Sequence, residues 1–134
     1  MADNFEKDFD KWNELKKQLN GFDKAKDFYF MEREVWWCSL GVNIGFEQDG
    51  KHDNFERPVL IIKTFNKEVL WIIPLTSRHK KNKYYYEFDY KNQPQTAILS
   101  QIRLISSKRL LRKIWTFPKK DFKKIKELIA EFLR

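Results

Sequence analysis

Cysteine is almost absent from this chain: Cys38 stands alone among 134 residues. No internal disulfide is therefore possible, and the fold must be held by a packed core, in which Cys38 is expected as a small buried hydrophobe. Histidine is nearly as scarce, with only His52 and His79, and neither combines with Cys38 at a spacing that suits zinc. Nothing in the sequence argues for a metal or any other cofactor. No apolar run approaches the ~20 residues of a membrane-spanning helix. The opening MADNFEKDF lacks the basic and apolar regions of a secretory signal, so a cytoplasmic protein without a membrane partner is expected. Four glycines and four prolines make no linker, and no repeat or low-complexity stretch divides the chain. With 42% apolar residues over this length, one globular domain with a real core follows.

Acidic residues are scarce in one half only. Residues 1–30 net −1 and residues 31–74 net −2, whereas residues 75–134 hold sixteen Lys/Arg against five Asp/Glu, a net of +11. Such asymmetry suits a polyanionic partner, nucleic acid or an acidic protein segment, as well as a merely solvated basic surface.

The periodicities predict a mostly β protein with helices at both ends. Phe5, Phe9, Trp12, Leu15 and Leu19 recur at helical spacing over Asp3–Leu19, with Asp3 or Asn4 as cap and Gly21 just past the end. Residues 23–32 read as a connector laid against the core through Phe28, Tyr29 and Phe30. Strands are expected at Glu34–Leu40, Arg57–Thr64, Glu68–Leu75, Tyr84–Tyr90, Thr96–Leu104 and Arg112–Phe117. Phe65-Asn66-Lys67 and Asn92-Gln93-Pro94 serve as turns, and Ser106 caps a single helical turn. Pro118 opens a closing helix, Lys119–Leu133, with Phe122, Ile125, Ile129 and Phe132 on one face. Short, closely spaced strands of this kind form a small twisted barrel.

The chain is organised around Glu34–Ile62, an aromatic strand, a polar loop with glycines, and a strand opened by Arg57-Pro58. Val59-Leu60-Ile61-Ile62 is continuously apolar and predicts a strand covered on both faces. The same stretch, VWWCSLGVNIGFEQ followed by RPVLII, then IPLTS at Ile73–Ser77 and AILSQIRLISSKRL at Ala97–Leu110, resembles the MazF/PemK (Kid-like) family of endoribonuclease toxins. The resemblance implies the SH3-like barrel shared by MazF, Kid and the gyrase poison CcdB. It spans residues 33–134 as a toxin domain and leaves residues 1–32 as a helical extension packed on the barrel.

What the resemblance implies chemically is metal-independent RNA transesterification, in which the neighbouring 2′-hydroxyl attacks the phosphate and leaves a cyclic phosphate and a 5′-hydroxyl. Arg57 matches the arginine of the family's RPVL block, where a guanidinium can grip phosphate oxygens bidentately. Read by itself, an Arg before Pro at a strand start is more often a surface ion pair, here with Glu56, and only the resemblance makes it catalytic. Thr76 matches the family threonine after the third strand and can bond the scissile phosphate or simply cap the strand end. Glu47 can accept the 2′-hydroxyl proton or orient the arginine, and Gln48 follows it in the matched block. Ser77 and Arg78 can track the RNA backbone. Gln101 resembles a family glutamine near bound RNA, although Glu47 and Gln101 suit backbone bridging within the barrel as well. Phe46 stands where the family has a small residue, and the longer 49–56 segment brings His52 and His79 into consideration as acid or base.

The implied partners are single-stranded RNA, a cognate antitoxin and a second copy of the chain in a homodimer. Trp36, Trp37, Trp71, Trp115 and the Tyr84–Tyr86 cluster suit base-stacking faces, or, for most of them, the core or a dimer interface. The alternative function is a non-catalytic module of the same fold that binds nucleic acid or a protein such as gyrase, or a toxin that has lost activity.

Overall fold

The computed structural model describes residues 6–23 and 28–134. Its elements in order are helix α1 (Phe9–Gly21), strands β1 (Glu34–Ser39), β2 (Glu56–Thr64), β3 (Val69–Thr76), β4 (Tyr85–Tyr90), β5 (Gln93–Ile98), β6 (Arg103–Ser106) and β7 (Leu110–Thr116), and helix α2 (Lys119–Glu131). The sheet runs β4-β5-β3-β2-β1-β7, with β6 added on β3, and its pairings are antiparallel.

Strand β3 forces the sheet to curl. Its first half, Val69–Ile72, pairs with β6, while Leu75 and Thr76 pair with Ala97 and Thr96 of β5. The outer strands β4 and β7 then approach each other through side chains. Tyr90 stacks on Trp115 at 4.7 Å between ring centroids, and Phe88 meets Phe117 edge-on at 4.8 Å. Aromatic contacts close the seam of an SH3-like barrel where backbone pairing does not run.

Strand β2 is covered on both faces, as its unbroken apolar run predicts. Leu60 and Ile62 enter a cluster with Phe117, Phe122 and Ile125, the last two from α2. Val59 and Ile61 enter a second cluster with Trp36, Cys38, Leu70, Ile105 and Leu110. Burying these four β2 side chains contributes roughly 6–12 kcal/mol before chain entropy is set against it. Phe28 and Phe30 pack on the second cluster, but Tyr29 is 68% exposed, so the connector lies against the core by alternate residues only.

Helix α1 has a cluster of its own. Trp12 is buried with Val42 and Phe55, and Leu15 and Leu19 lean on them. Gly41 makes this possible, because at φ +83° a Cβ there would sit 2.2 Å from the Trp12 ring. The helix begins later than expected, with Asp8 accepting from Lys11 N at 2.9 Å as its cap. The expected caps Asp3 and Asn4, and Phe5, lie outside the described residues. Phe9 is half exposed, which narrows the apolar stripe, and Gly21 is the last helical residue rather than the one beyond.

Two further expectations are corrected. The strand expected over Thr96–Leu104 is two strands, because the 3₁₀ turn Leu99–Gln101 carries the chain from one end of β3 to the other. The β4–β5 turn is Lys91-Asn92, both at positive φ, the two-residue hairpin geometry; Gln93 and Pro94 already belong to β5. The expected cap at Ser106 is present, its hydroxyl accepting from Lys108 N at 3.2 Å.

Candidate active site

Adjacent residues on a strand face opposite ways, and the start of β2 uses this. Glu56 turns outward to Arg112, each carboxylate oxygen 3.3 Å from a guanidinium nitrogen. The ion pair between Arg57 and Glu56 is therefore not the one made. Arg57 turns inward and is only 8% exposed. Its Nε donates to the Asp49 carbonyl at 2.6 Å and its Nη1 to the Leu75 carbonyl at 3.2 Å. With its side-chain oxygen turned to the guanidinium, Gln48 accepts from Nη2 at 2.8 Å and Nε at 3.1 Å. Burial pushes the Arg57 pKa down, Asp49 opposes this, and the nearby Arg78 adds to the lowering. The side chain remains a cation at neutral pH.

The loop that supplies these partners, residues 40–55, is folded back on itself. Gly50 N donates to Gly41 O at 2.7 Å, and Leu40 N to Phe55 O at 2.8 Å. A Cβ at Gly50 would overlap Phe55 O at 1.6 Å, so this crossing admits only glycine. Asn43 ties the interior, its side-chain amide donating to Leu40 O and Gln48 O.

Arg57 lies on the wall of a cavity of about 800 Å³. Thr76 at the end of β3 lines it with Arg78, Lys80 and Tyr85 from beyond that strand, and Glu47, Gln48, His52 and Gln101 line it from the loop side. Six of the seven predicted site residues thus share one cavity; Ser77 is exposed and is not among its lining residues. Their local roles differ. Thr76 Oγ1 accepts from Arg78 N at 3.2 Å, shaping the turn, and its hydroxyl hydrogen remains for a ligand. Glu47 is exposed at the rim, where its carboxylate accepts from Ile44 N at 3.0 Å. The groups that orient Arg57 are Asp49, Leu75 and Gln48, not Glu47. Gln101 accepts from Gln48 N at 2.6 Å and donates to Phe46 O at 3.1 Å, the backbone bridging that the sequence also allowed.

The histidines separate. His52 lines the cavity, whereas His79 pairs with Glu87 at 2.6 Å and lies outside the lining. Sequence reasoning missed the Asp49 and Leu75 carbonyls, which carry no side-chain signal, and did not single out Lys80; Tyr85 was foreseen only as part of the Tyr84–Tyr86 cluster. Of the aromatics, Trp36 is buried, Trp115 is stacked in the seam, and Tyr85 reaches the cavity. Among the described residues no group of three or more His, Cys, Asp or Glu could hold a metal ion, and no helix is long and apolar enough to cross a membrane.

The arrangement is a fixed, desolvated cation with a second arginine and a hydroxyl beside it, open to an anionic group. A family model described as PemK-like, MazF-like toxin of type II toxin–antitoxin system matches residues 31–133. No curated protein matches the chain. Among solved structures, MazF from Deinococcus radiodurans superposes with TM-score 0.68 at 18% identity, covering 80% of this chain and 98% of its own. Mycobacterium tuberculosis toxin MazF-mt6 gives 0.57 at 18% identity, covering 74% and 94%. A mycobacterial endoribonuclease in complex with its cognate antitoxin gives 0.59 at 13% identity, covering 78% and 95%. At these identities the structural likenesses establish the fold.

Proposed function

The chain belongs to the PemK-like, MazF-like toxin family of type II toxin–antitoxin systems, and from that premise we propose that it is an endoribonuclease that cuts single-stranded RNA without a metal. The observation that carries the reading is Arg57, buried, held by two carbonyls and an amide, and facing a cavity shared with Thr76 and Arg78.

In this reading the scissile phosphate sits against Arg57. The 2′-oxygen forms a bond to phosphorus, the bond to the 5′-oxygen breaks, and the charge of the phosphorane develops beside the guanidinium. Arg57 is already oriented, so little reorganisation accompanies the charge. Thr76 donates its hydroxyl to a non-bridging oxygen. Glu47 at the rim takes the 2′-hydroxyl proton, and the leaving 5′-oxygen takes up a proton from solvent water. Arg78 and Ser77 follow the backbone, while Gln48 and Gln101 set the loop against which the bases lie. Residues 33–134 act as the toxin domain, with residues 1–32 as an extension on it. The active form is a homodimer, and an acidic antitoxin segment neutralises it by binding across the cavity at Arg57, Arg78 and Lys80, an association that the net +11 of residues 75–134 favours.

The test is cleavage of a long mixed-sequence RNA in EDTA by the wild type and by Arg57→Ala. Fragments with cyclic phosphate ends from the wild type alone are expected. RNA that is bound yet left intact by a folded wild type would replace the nuclease with a binding module.

A further inference from the structure

Lys7 stands outside the residues that the family model spans, yet its ammonium is set into the loop that builds the cavity. It lies 3.1 Å from Asp49 Oδ2 and 3.4 Å from Oδ1, and it donates to the Asn43 carbonyl and, at 3.0 Å, to the Gly45 carbonyl. Three groups of one loop thus converge on a single cation that is mostly withdrawn from solvent. Oδ1 of the same Asp49 accepts from Asn43 N at 2.6 Å, and the Asp49 carbonyl accepts from Arg57 Nε at 2.6 Å.

These contacts form a continuous line from the N-terminal extension to the buried guanidinium. We propose that Lys7 is a positioning residue for Arg57, acting through Asp49, and that α1 serves to deliver it. The proposal rests on the nuclease reading for its kinetic consequence, though not for its structural one. Lys7 immediately precedes the Asp8 cap of α1, so its backbone is placed by the helix. The helix is placed in turn by Trp12 against Gly41 and Phe55, on the same loop. The extension thereby grips residues 41–55 through an apolar contact at Trp12 and a part-buried ionic one at Lys7, besides the exposed pair of Lys11 with Asp53. Without the ammonium, the Asp49 carboxylate and the carbonyls of Asn43 and Gly45 lose their shared donor. The loop then relaxes at the residue whose carbonyl fixes Arg57.

A purely structural role for Lys7 predicts a change in stability and none in the chemical step, which makes the two separable. Lys7→Ala is expected to lower kcat about 10-fold with KM within about two-fold, since a misplaced catalytic group costs transition-state stabilisation rather than ground-state binding. Lys7→Met, which keeps the length and drops the charge, should behave alike. Lys7→Arg should recover most of the rate, and Lys11→Ala, which removes the exposed pair between α1 and the loop residue Asp53, should leave it unchanged. Combining Lys7→Ala with Asp49→Ala should lose no more than Asp49→Ala alone, because both lie on one line.

A readout without substrate is amide exchange. In Lys7→Ala the Asn43 and Gly50 amides should exchange about 10-fold faster, while those of β2 stay as they were. An unchanged kcat, or unchanged exchange at Asn43 and Gly50, overturns the relay. A wild type that does not cut RNA overturns the nuclease reading only, and the exchange comparison then decides the relay by itself.

Discussion

Among the described residues one arginine, Arg57, is buried and another, Arg109, is partly buried, on two sides of one loop, and their surroundings differ. Arg57 donates to the carbonyls of Asp49 and Leu75, and Arg109 to those of Ser39 and Leu40, each at 3.3 Å. Burial pushes both guanidinium pKa values down. The difference is what closes over them. The Trp12 ring lies 5.5 Å from the Arg109 guanidinium, a cation–π lid supplied by α1. Arg57 instead faces a cavity, although each has a like charge nearby that lowers its pKa further, Arg78 for Arg57 and Arg103 for Arg109. A capped cation is finished as a structural part. An uncapped one facing a cavity is still open to an anion, and that distinction locates a site better than burial or residue type does.

The comparison breaks first at Arg57. Arg57→Ala should lower RNA cleavage by about 10³-fold, the scale of losing an oriented donor to a transition-state oxyanion. Arg57→Lys should recover little, since an ammonium cannot reproduce the fork that reaches Asp49, Leu75 and Gln48 together. Cleavage by Arg57→Ala within ten-fold of the wild type would remove this residue from the chemistry.

Next in size is the lid of the other arginine. Trp12→Ala empties the small cluster with Val42 and Phe55 and uncovers Arg109. About 3 kcal/mol is expected, the lower end for a buried aromatic because α1 lies at the surface and can collapse. Thermal unfolding should fall by about 10 °C. An unchanged melting curve would mean that α1 does not hold the loop in solution.

Arg109→Ala should cost less, about 2 kcal/mol, for the carbonyls of Ser39 and Leu40 left without their donor. Cleavage at a temperature where the variant is folded should stay within about three-fold of the wild type. Together with Arg57→Ala this gives a crossed pair, one variant failing in chemistry and the other in stability. A large rate loss in Arg109→Ala would erase the distinction between the two arginines.

The sequence made some of this legible and some not, for physical reasons. Val59–Ile62 announced a strand covered on both faces because an unbroken apolar run has no polar side to expose. A charged residue opening such a strand is either paired at the surface or turned inward, and the RPVL resemblance is what singled out Arg57; the structure turns it inward to the cavity. The break at Leu99–Gln101 was hidden. Its neighbours are apolar enough to read as one strand, and the turn is imposed by the bend in β3, a demand from elsewhere in the fold. The Lys91-Asn92 turn was missed because Pro94 marked the spot more loudly, although a proline is tolerated where β5 pairs with β4 and has not yet reached β3. The cradle of Arg57 was hidden for a different reason. Backbone carbonyls leave no mark in composition, and Lys7 lies 42 residues from the Asp49 it holds.

The smallest expected effect concerns a group outside both arginine sites, and it bounds how far electrostatics alone can shape this barrel. Tyr86 donates to Asp121 at 2.6 Å, joining β4 to the first turn of α2. Burial, then the bond and the charge of Asp121, push its pKa up to about 12 from 10.0. At pH below 10 the phenol is protonated in the folded and unfolded chains alike, and the bond contributes in full. Between pH 10 and about 12 the unfolded chain ionises while the folded one does not, so stability drains away across that window. Solvent screening holds the effect to about 1 kcal/mol or less. Tyr86→Phe should therefore melt only slightly below the wild type at pH 8 and lose part of the decline between pH 10 and 12. An alkaline profile identical to that of the wild type would mean that the decline comes from other groups, and that α2 is held to the barrel by Phe122 and Ile125 without help from this bond.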